Sequence, residues 1–199
     1  ENRQYNSEDD VFKSVGSSYL TPEYRESEAT AIGLKQGETF HLIEENDIRG
    51  LIHNHSTYSD GVHSLKEMAD AAQQKGYEYL VISDHSISAF YANGLKVDDV
   101  YRQWQEIEQL NKQFHGFRIL KGIEADILND GRLDYGDDIL SGFEIVIASI
   151  HSNLRMDLEK ATSRLIKAIE NPYTHILGHP TGRLLLGRKG YDINYEKIF

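Results

Sequence analysis

The sequence contains no cysteine. Disulfides and thiolate ligands are therefore excluded, and any zinc-like site must be built from His, Asp and Glu. No apolar run is long enough to cross a bilayer, and the first residues lack the basic-then-apolar order of a signal peptide. These absences fit a cytoplasmic protein with no membrane partner. Basic residues are also scarce: 21 Lys and Arg against 32 Asp and Glu leave a formal net charge of −11. A general nucleic-acid clamp needs a basic face to displace counterions, so that class is disfavoured. An enzyme that meets nucleic acid through bound divalent cations is still allowed, because the ions supply the local positive charge. No Gly-x-Gly-x-x-Gly follows the first apolar run, which weakens a dinucleotide-binding reading. There is no internal repeat with a clear period and no low-complexity tract.

What is present suffices for one large domain, or a domain with an extension: 199 residues, 39% of them hydrophobic. Residues 1–46 are polar and weakly periodic. A short helix is expected from Glu8 to Val15, with Ser7 as its cap, Asp10 in the capping-box position and Gly16 as its stop. The following "SYLTPEYRESEATAIGLKQGETFHL" reads as an extended connector, a linker or docking arm with no core of its own. From residue 47 to 199 the texture changes. "IRGLIHNH", "YLVISDHS", "RILKGIEADI", "EIVIASIHS" and "HILGHP" read as strands. Between them, "SLKEMADAAQQKGY" is a helix with Ser64 and Glu67 as capping box, Leu65, Met68, Ala69 and Ala72 on one face, and Gly76 as stop. "VDDVYRQWQEIEQLNKQF" is a longer helix with a stripe of Val97, Val100, Trp104, Ile107, Asn111 and Phe114. "LEKATSRLIKAIENP" is a third, ended by Asn171 and Pro172. Strands alternating with helices give an α/β fold with a parallel sheet, either doubly wound and open or closed into a barrel.

The histidines fall on this map unevenly. Five of the nine lie at or just after the end of an expected strand: His53 and His55, His85, His151 and His179. The third strand ends in Glu124 instead. In a parallel barrel these ends meet on one face, where such folds do chemistry. A strand ending in His-x-His points both rings to the same side, because side chains alternate; the plain alternative is a polar loop with two surface histidines. Imidazoles and carboxylates together suit zinc, manganese or iron. The set His53, His55, Asp60, His85, Glu124, His151 and His179 is too large for one tetrahedral ion and points to two or three divalent ions. Glu124 is the expected bridge between a pair, since a carboxylate offers two oxygens. Two such ions, about 3.5–4 Å apart, activate water and stabilise a phosphoryl group. Asp84, Ser83 or Ser149 are candidates to fix the second nitrogens of the rings. Arg183, in "GHPTGR", offers a planar cation for a phosphate oxygen; the alternative is a surface arginine paired with a carboxylate. His41, His63, His115 and His175 fit no pattern and read as surface or turn residues. Trp104, Tyr101 and Phe114 read as core, and "GRLDYGDD" as a solvated loop whose Asp134 could reach the rim of a site.

"HNHSTYSDG", "SDHS", "GIEADI", "ASIHS" and "GHPTGR" resemble, in order, the motifs of the PHP domain, the polymerase and histidinol phosphatase family. "GHPTGRLLL" and "YLTPEYRE" resemble the version at the C-terminus of bacterial family X DNA polymerases, with residues 1–46 similar to the segment that joins polymerase core to PHP domain and 47–199 similar to the PHP domain itself. The resemblance implies a distorted seven-stranded α/β barrel with a trinuclear centre. It implies His53, His55 and Glu124 for one metal, Glu124, His151 and His179 for a second, and Asp60 with His85 for a third. It also implies a metal-dependent phosphoesterase acting on DNA 3′ ends, with Glu124 and Arg183 in catalysis and a polymerase core upstream. Relatives that hydrolyse histidinol phosphate keep a small-molecule phosphatase open, and a non-catalytic docking module is the third reading. Two departures stand out. Leu51-Ile52 replaces the Asp-Leu often found before the first histidine. The family's last Asp-x-His does not occur before Phe199, so the chain is expected to hold about five of the seven strands and to be a C-terminal piece of a longer protein. On that expectation it is partly metallated, weakly active or inactive, and self-associates through an open barrel edge.

Overall fold

A computed structural model describes residues 4–25 and 42–199. The chain divides into two compact units, Glu1–Glu45 and Asn46–Phe199. In the first, helix α1 (Glu8–Ser14) starts where Ser7 accepts a hydrogen bond from the Asp10 amide at 3.2 Å. Arg25 then lies over the rings of Phe12 and Tyr19 and pairs with Glu8 at 3.0 Å. No residue from 4 to 25 is buried, so these contacts are surface contacts worth little each. The connector expected to be extended contains a 3-10 turn at Pro22–Arg25. Its continuation through residues 26–41, with His41, lies outside the described residues.

In the second unit the elements alternate as expected. They are β1 (Gly50–Asn54), α2 (Leu65–Gln74), β2 (Tyr79–Ile82), α3 (Val97–Asn111), β3 (Arg118–Asp126), α4 (Asp137–Leu140), β4 (Ile145–Ser149), α5 (Leu158–Ile169), β5 (Ile176–Leu177) and α6 (Tyr195–Ile198). The sheet order is β1-β2-β3-β4-β5, and every neighbouring pair is parallel. Crossovers between parallel strands are right-handed, so a strictly sequential order keeps the helices on one side and lets the sheet twist into a curl. The outcome is the barrel type, five parallel strands curled into a half-barrel, and not the doubly wound sheet, whose order reverses at its switch point.

The helices pack by the faces their sequences provide, with one correction. Ser64 and Glu67 form the capping box of α2, and Leu65, Ala69 and Ala72 are buried. In α3 the buried face is Val100, Gln103, Ile107 and Leu110; Phe114 lies beyond the helix, and Trp104 is only partly buried. Gln103 is drawn inside because its amide donates to Asp84 at 2.7 Å. Two apolar clusters result. One joins β3, β4 and α5 through Ile123, Val146, Ala148 and Leu165, and the other joins α2, β2 and α3 through Leu65, Leu80, Ile82 and Ile107. Between sheet and α5 the Arg164 guanidinium is buried. It donates to the carbonyls of Leu128 at 2.8 Å, Ser152 at 3.0 Å and Ile127, which lie just past the ends of β3 and β4.

Candidate metal centre

The end of β3 carries Glu124 and Asp126, two residues apart and hence on one face of the sheet. Glu124 is 1% exposed, and five imidazoles surround its carboxylate. Oε1 lies 2.8 Å from Nε2 of His53, 2.8 Å from Nε2 of His179 and 3.1 Å from Nε2 of His151. Oε2 lies 3.1 Å from Nδ1 of His85 and 3.6 Å from Nε2 of His55. Each strand end therefore supplies one or two groups to a single point.

The route by which β1 delivers its pair differs from simple alternation. The β1–β2 register shifts between Leu51 and Asn54, and His53 adopts a φ of 63°, so a bulge turns it toward Glu124. His179, at the end of β5, is also left-handed, with a φ of 23°. Such backbone is costly for a residue with a Cβ and clusters at functional sites. Gly178 precedes it because there is no room for more: a Cβ there would stand 2.2 Å from Ser149 Oγ and 3.3 Å from the His53 ring. Asp60 reaches the group from the rim, 3.7 Å from Nδ1 of His55 and 3.8 Å from Nε2 of His85.

Three overlapping sets of donor atoms lie within 4.8 Å of one another: His53, His55 and Glu124; His55, Asp60 and His85; His85, Glu124 and His151. His179 touches Glu124 but falls outside all three. His63, His115 and His175 are exposed and away from this cluster.

The supporting residues differ from those the sequence suggested. Asp84 is fully buried, yet it touches no imidazole. It accepts hydrogen bonds from the Ser56 amide (2.7 Å), Ser56 Oγ (2.6 Å), Ser59 Oγ (2.5 Å) and Gln103, and so holds the loop that carries His55 and Asp60. Ser83 Oγ bonds to the backbone of Asn54, and Ser149 Oγ has no partner. The group that fixes a ring is Asp126, whose Oδ1 lies 2.5 Å from His151 Nδ1. Its place two residues after Glu124 was the available signal. Asp134 is no solvated loop residue: it accepts from Ser86 Oγ and the Ser88 amide, both at 2.8 Å, and burial raises its pKa.

Charge in the centre follows from these contacts. Burial alone would raise the Glu124 carboxyl, but the hydrogen bonds from His151, His179 and His53 outweigh it and hold the group well below the usual carboxylate range. Burial lowers His85, which keeps it neutral at pH 7, the form that offers a lone pair. For His151 the contacts with Asp126 and Glu124 overcome burial and push it up to about 9.

Residues 52–185 match the PHP domain family. The chain belongs to that family. It is 43% identical over 196 residues to the DNA polymerase/3'-5' exonuclease PolX of Bacillus subtilis (strain 168), a match that takes in 98% of this chain and 34% of that protein. It is 33% identical over 153 residues to a probable phosphatase of Thermoanaerobacter sp. (strain X514), covering 73% of this chain and 57% of that one. A probable phosphatase of Caldanaerobacter subterraneus is 34% identical over 157 residues, covering 73% and 55%. The chain thus spans about a third of PolX and just over half of the phosphatases.

The donor set of this PHP domain fits divalent cations. Nδ1 of His55 is buried without a hydrogen-bond partner, and Nδ1 of His85, although 3.1 Å from Glu124 Oε2, makes no hydrogen bond; both cost free energy unless something else meets the lone pair. Five rings around one carboxylate also exceed what that carboxylate can accept as a set of proton donors. With nitrogen and oxygen donors and no sulfur, the set suits zinc, manganese or iron. Arg183 stands apart from the donors but lines the same cavity as His151 and His179, is exposed, and makes no ion pair among the described residues.

Proposed function

We propose that this chain is the phosphodiesterase part of a family X DNA polymerase-like protein and processes DNA 3′ ends by 3′-5′ hydrolysis in DNA repair. The observation that carries the reading is the convergence of five strand-end imidazoles on buried Glu124. The similarity to PolX supports DNA over a small phosphoester, because it extends across residues 1–46 as well; the phosphatases match 73% of the chain. On this reading residues 1–46 are the arm that joins a polymerase core, residues 47–199 are the PHP domain, and the protein works in the cytoplasm. Identity of 33–34% to the phosphatases over 73% of the chain keeps hydrolysis of small phosphomonoesters as the second reading.

Two or three divalent ions, zinc, manganese or iron, would supply the charge that makes water nucleophilic at neutral pH and polarises the scissile phosphate. The chain's own residues do the rest. His53, His55 and Glu124 would hold one ion, Glu124 and His151 with His179 a second, although His85 and not His179 shares a compact donor set with that pair, and Asp60 with His85 would hold part of a third. Glu124, whose two oxygens face different rings, would be shared between the sets. Asp126 accepts from His151 Nδ1, which fixes the ring and directs Nε2 inward. Arg183 donates to a phosphate oxygen, adding local positive charge in a chain of net charge −11. Glu124→Ala in the full-length protein is expected to abolish metal-dependent release of 3′ nucleotides while nucleotide incorporation continues. Undiminished nuclease activity in that variant contradicts the assignment.

A further inference from the structure

Beside the centre lies a cavity of about 500 Å³, within the size range of small-ligand sites. His151, His179, Ile150, Arg183, Arg188 and Tyr91 line it. Arg188 is tethered by its Nε and Nη2 to the Gly182 carbonyl, at 3.0 and 2.8 Å, and neither arginine makes an ion pair among the described residues. In a chain this acidic, two arginines without a carboxylate partner lining one cavity suit an anion.

Tyr91 is presented there by a rigid turn. Phe90–Ala92 form a 3-10 turn closed by Asn93 at a φ of 54°. The Ala92 and Gly94 amides both donate to the Ala89 carbonyl at 3.0 Å, and Gly94 packs so tightly on Ser86 that a Cβ would stand 1.8 Å from its carbonyl oxygen. Ala89 and Ala92 are buried while Tyr91 is 70% exposed. The small residues anchor the turn and both aromatic ones project, Phe90 at 86% exposed, but of the two only Tyr91 lines the cavity. The Tyr91 ring meets His85 and His151 edge to face, with centroids at 5.9 and 6.3 Å, so it sits directly over donors of the centre. Its hydroxyl makes no hydrogen bond among the described residues, so the phenol is not what the fold uses.

We infer that the cavity takes the 3′-terminal nucleoside of a DNA strand, with Tyr91 stacking on its base and the two arginines facing its phosphate. An aromatic ring held at a set place by its turn stacks on any base without reading sequence, which suits end processing. It also separates a nucleic-acid substrate from a phosphomonoester that has no base. The inference rests on the DNA-end reading above and names the residue that would give it substrate selectivity.

The test uses the full protein with manganese and two single-stranded oligonucleotides, one with a normal 3′ nucleotide and one whose 3′ residue is abasic. Tyr91→Ala is expected to raise KM for the normal oligonucleotide roughly tenfold, as loss of one stacked base would. It should leave kcat, and both constants for the abasic one, near wild type, which also shows the centre to be intact. Tyr91→Phe should restore the wild-type KM, since the ring and not the hydroxyl is required. An unchanged KM in Tyr91→Ala, with the wild type cleaving DNA, overturns the stacking role alone. A wild-type protein that cleaves neither oligonucleotide overturns the nuclease reading, and the stacking role with it.

Discussion

The loops after β1 and β5 both bring imidazoles to Glu124, yet they are built in opposite ways. The first is pinned from below: Ser56 and Ser59 are buried, and Asp84, with no solvent exposure, takes three hydrogen bonds from them. The second gives His179 to the centre and beyond it stands in water. Leu184, Leu185 and Leu186 are all exposed, Leu185 at 75%, and Arg183 has no ion-pair partner among the described residues. The difference separates two tasks. Groups that must hold a cation in fixed geometry are set by buried polar networks, because a small displacement weakens every bond. Groups that must meet a substrate are left unsatisfied and accessible.

The comparison can be broken most severely at Asp84. Asp84→Ala leaves the Ser56 amide, two hydroxyls and the Gln103 amide without their buried acceptor, and is expected to lower unfolding free energy by about 3 kcal/mol or more, read by denaturant titration. At Asp126 the fold should survive and the centre should not. Asp126→Ala is expected to weaken manganese binding roughly 10- to 100-fold in a calorimetric titration, because His151 loses the group that orients it. On the exposed loop the pattern reverses. Arg183→Ala should raise KM for DNA roughly tenfold with an unchanged melting temperature, the loss of one charge-assisted contact and no packing. Leu185→Ser should change stability by no more than about 0.5 kcal/mol. A large loss of stability from either loop variant would erase the distinction.

A smaller effect sharpens it through pH. Burial raises the Asp134 carboxyl in the folded chain, so the folded state holds that proton more tightly than the unfolded state does. The stability this contributes is present below the ordinary Asp range and is lost as pH rises through the raised folded value. Subtracting Asp134→Asn from wild type should therefore give a difference in unfolding free energy that falls as pH rises from acid toward neutral.

The sequence makes the delivered groups legible and hides their supports. Histidines and Glu124 follow apolar runs, and a parallel sheet gathers strand ends on one face, so His53, His55, His85, Glu124, His151 and His179 could be expected together from linear order alone. The alternation of helix and strand gives a parallel sheet but leaves its strand order open between a doubly wound sheet and a barrel. Asp84 reads as a candidate to fix a ring and Asp126 is given no role, because their partners lie 19 to 28 residues away and depend on register. The inward turn of Gln103 escaped for the same reason: its partner, Asp84, is on another element. His53 shows the limit within a single strand. Alternation places it on the right side, but a bulge with positive φ does the work, and periodicity cannot show a bulge.

The central claim is that these strand ends form a divalent-metal centre around Glu124. Anomalous diffraction from crystals of the protein grown with manganese tests it most directly. The account predicts at least two peaks, each about 2.0–2.3 Å from a Glu124 oxygen or from imidazole nitrogens of His53, His55, His85, His151 or His179. Peaks confined to surface carboxylates, with Glu124 still hydrogen-bonded to protonated rings, would contradict it.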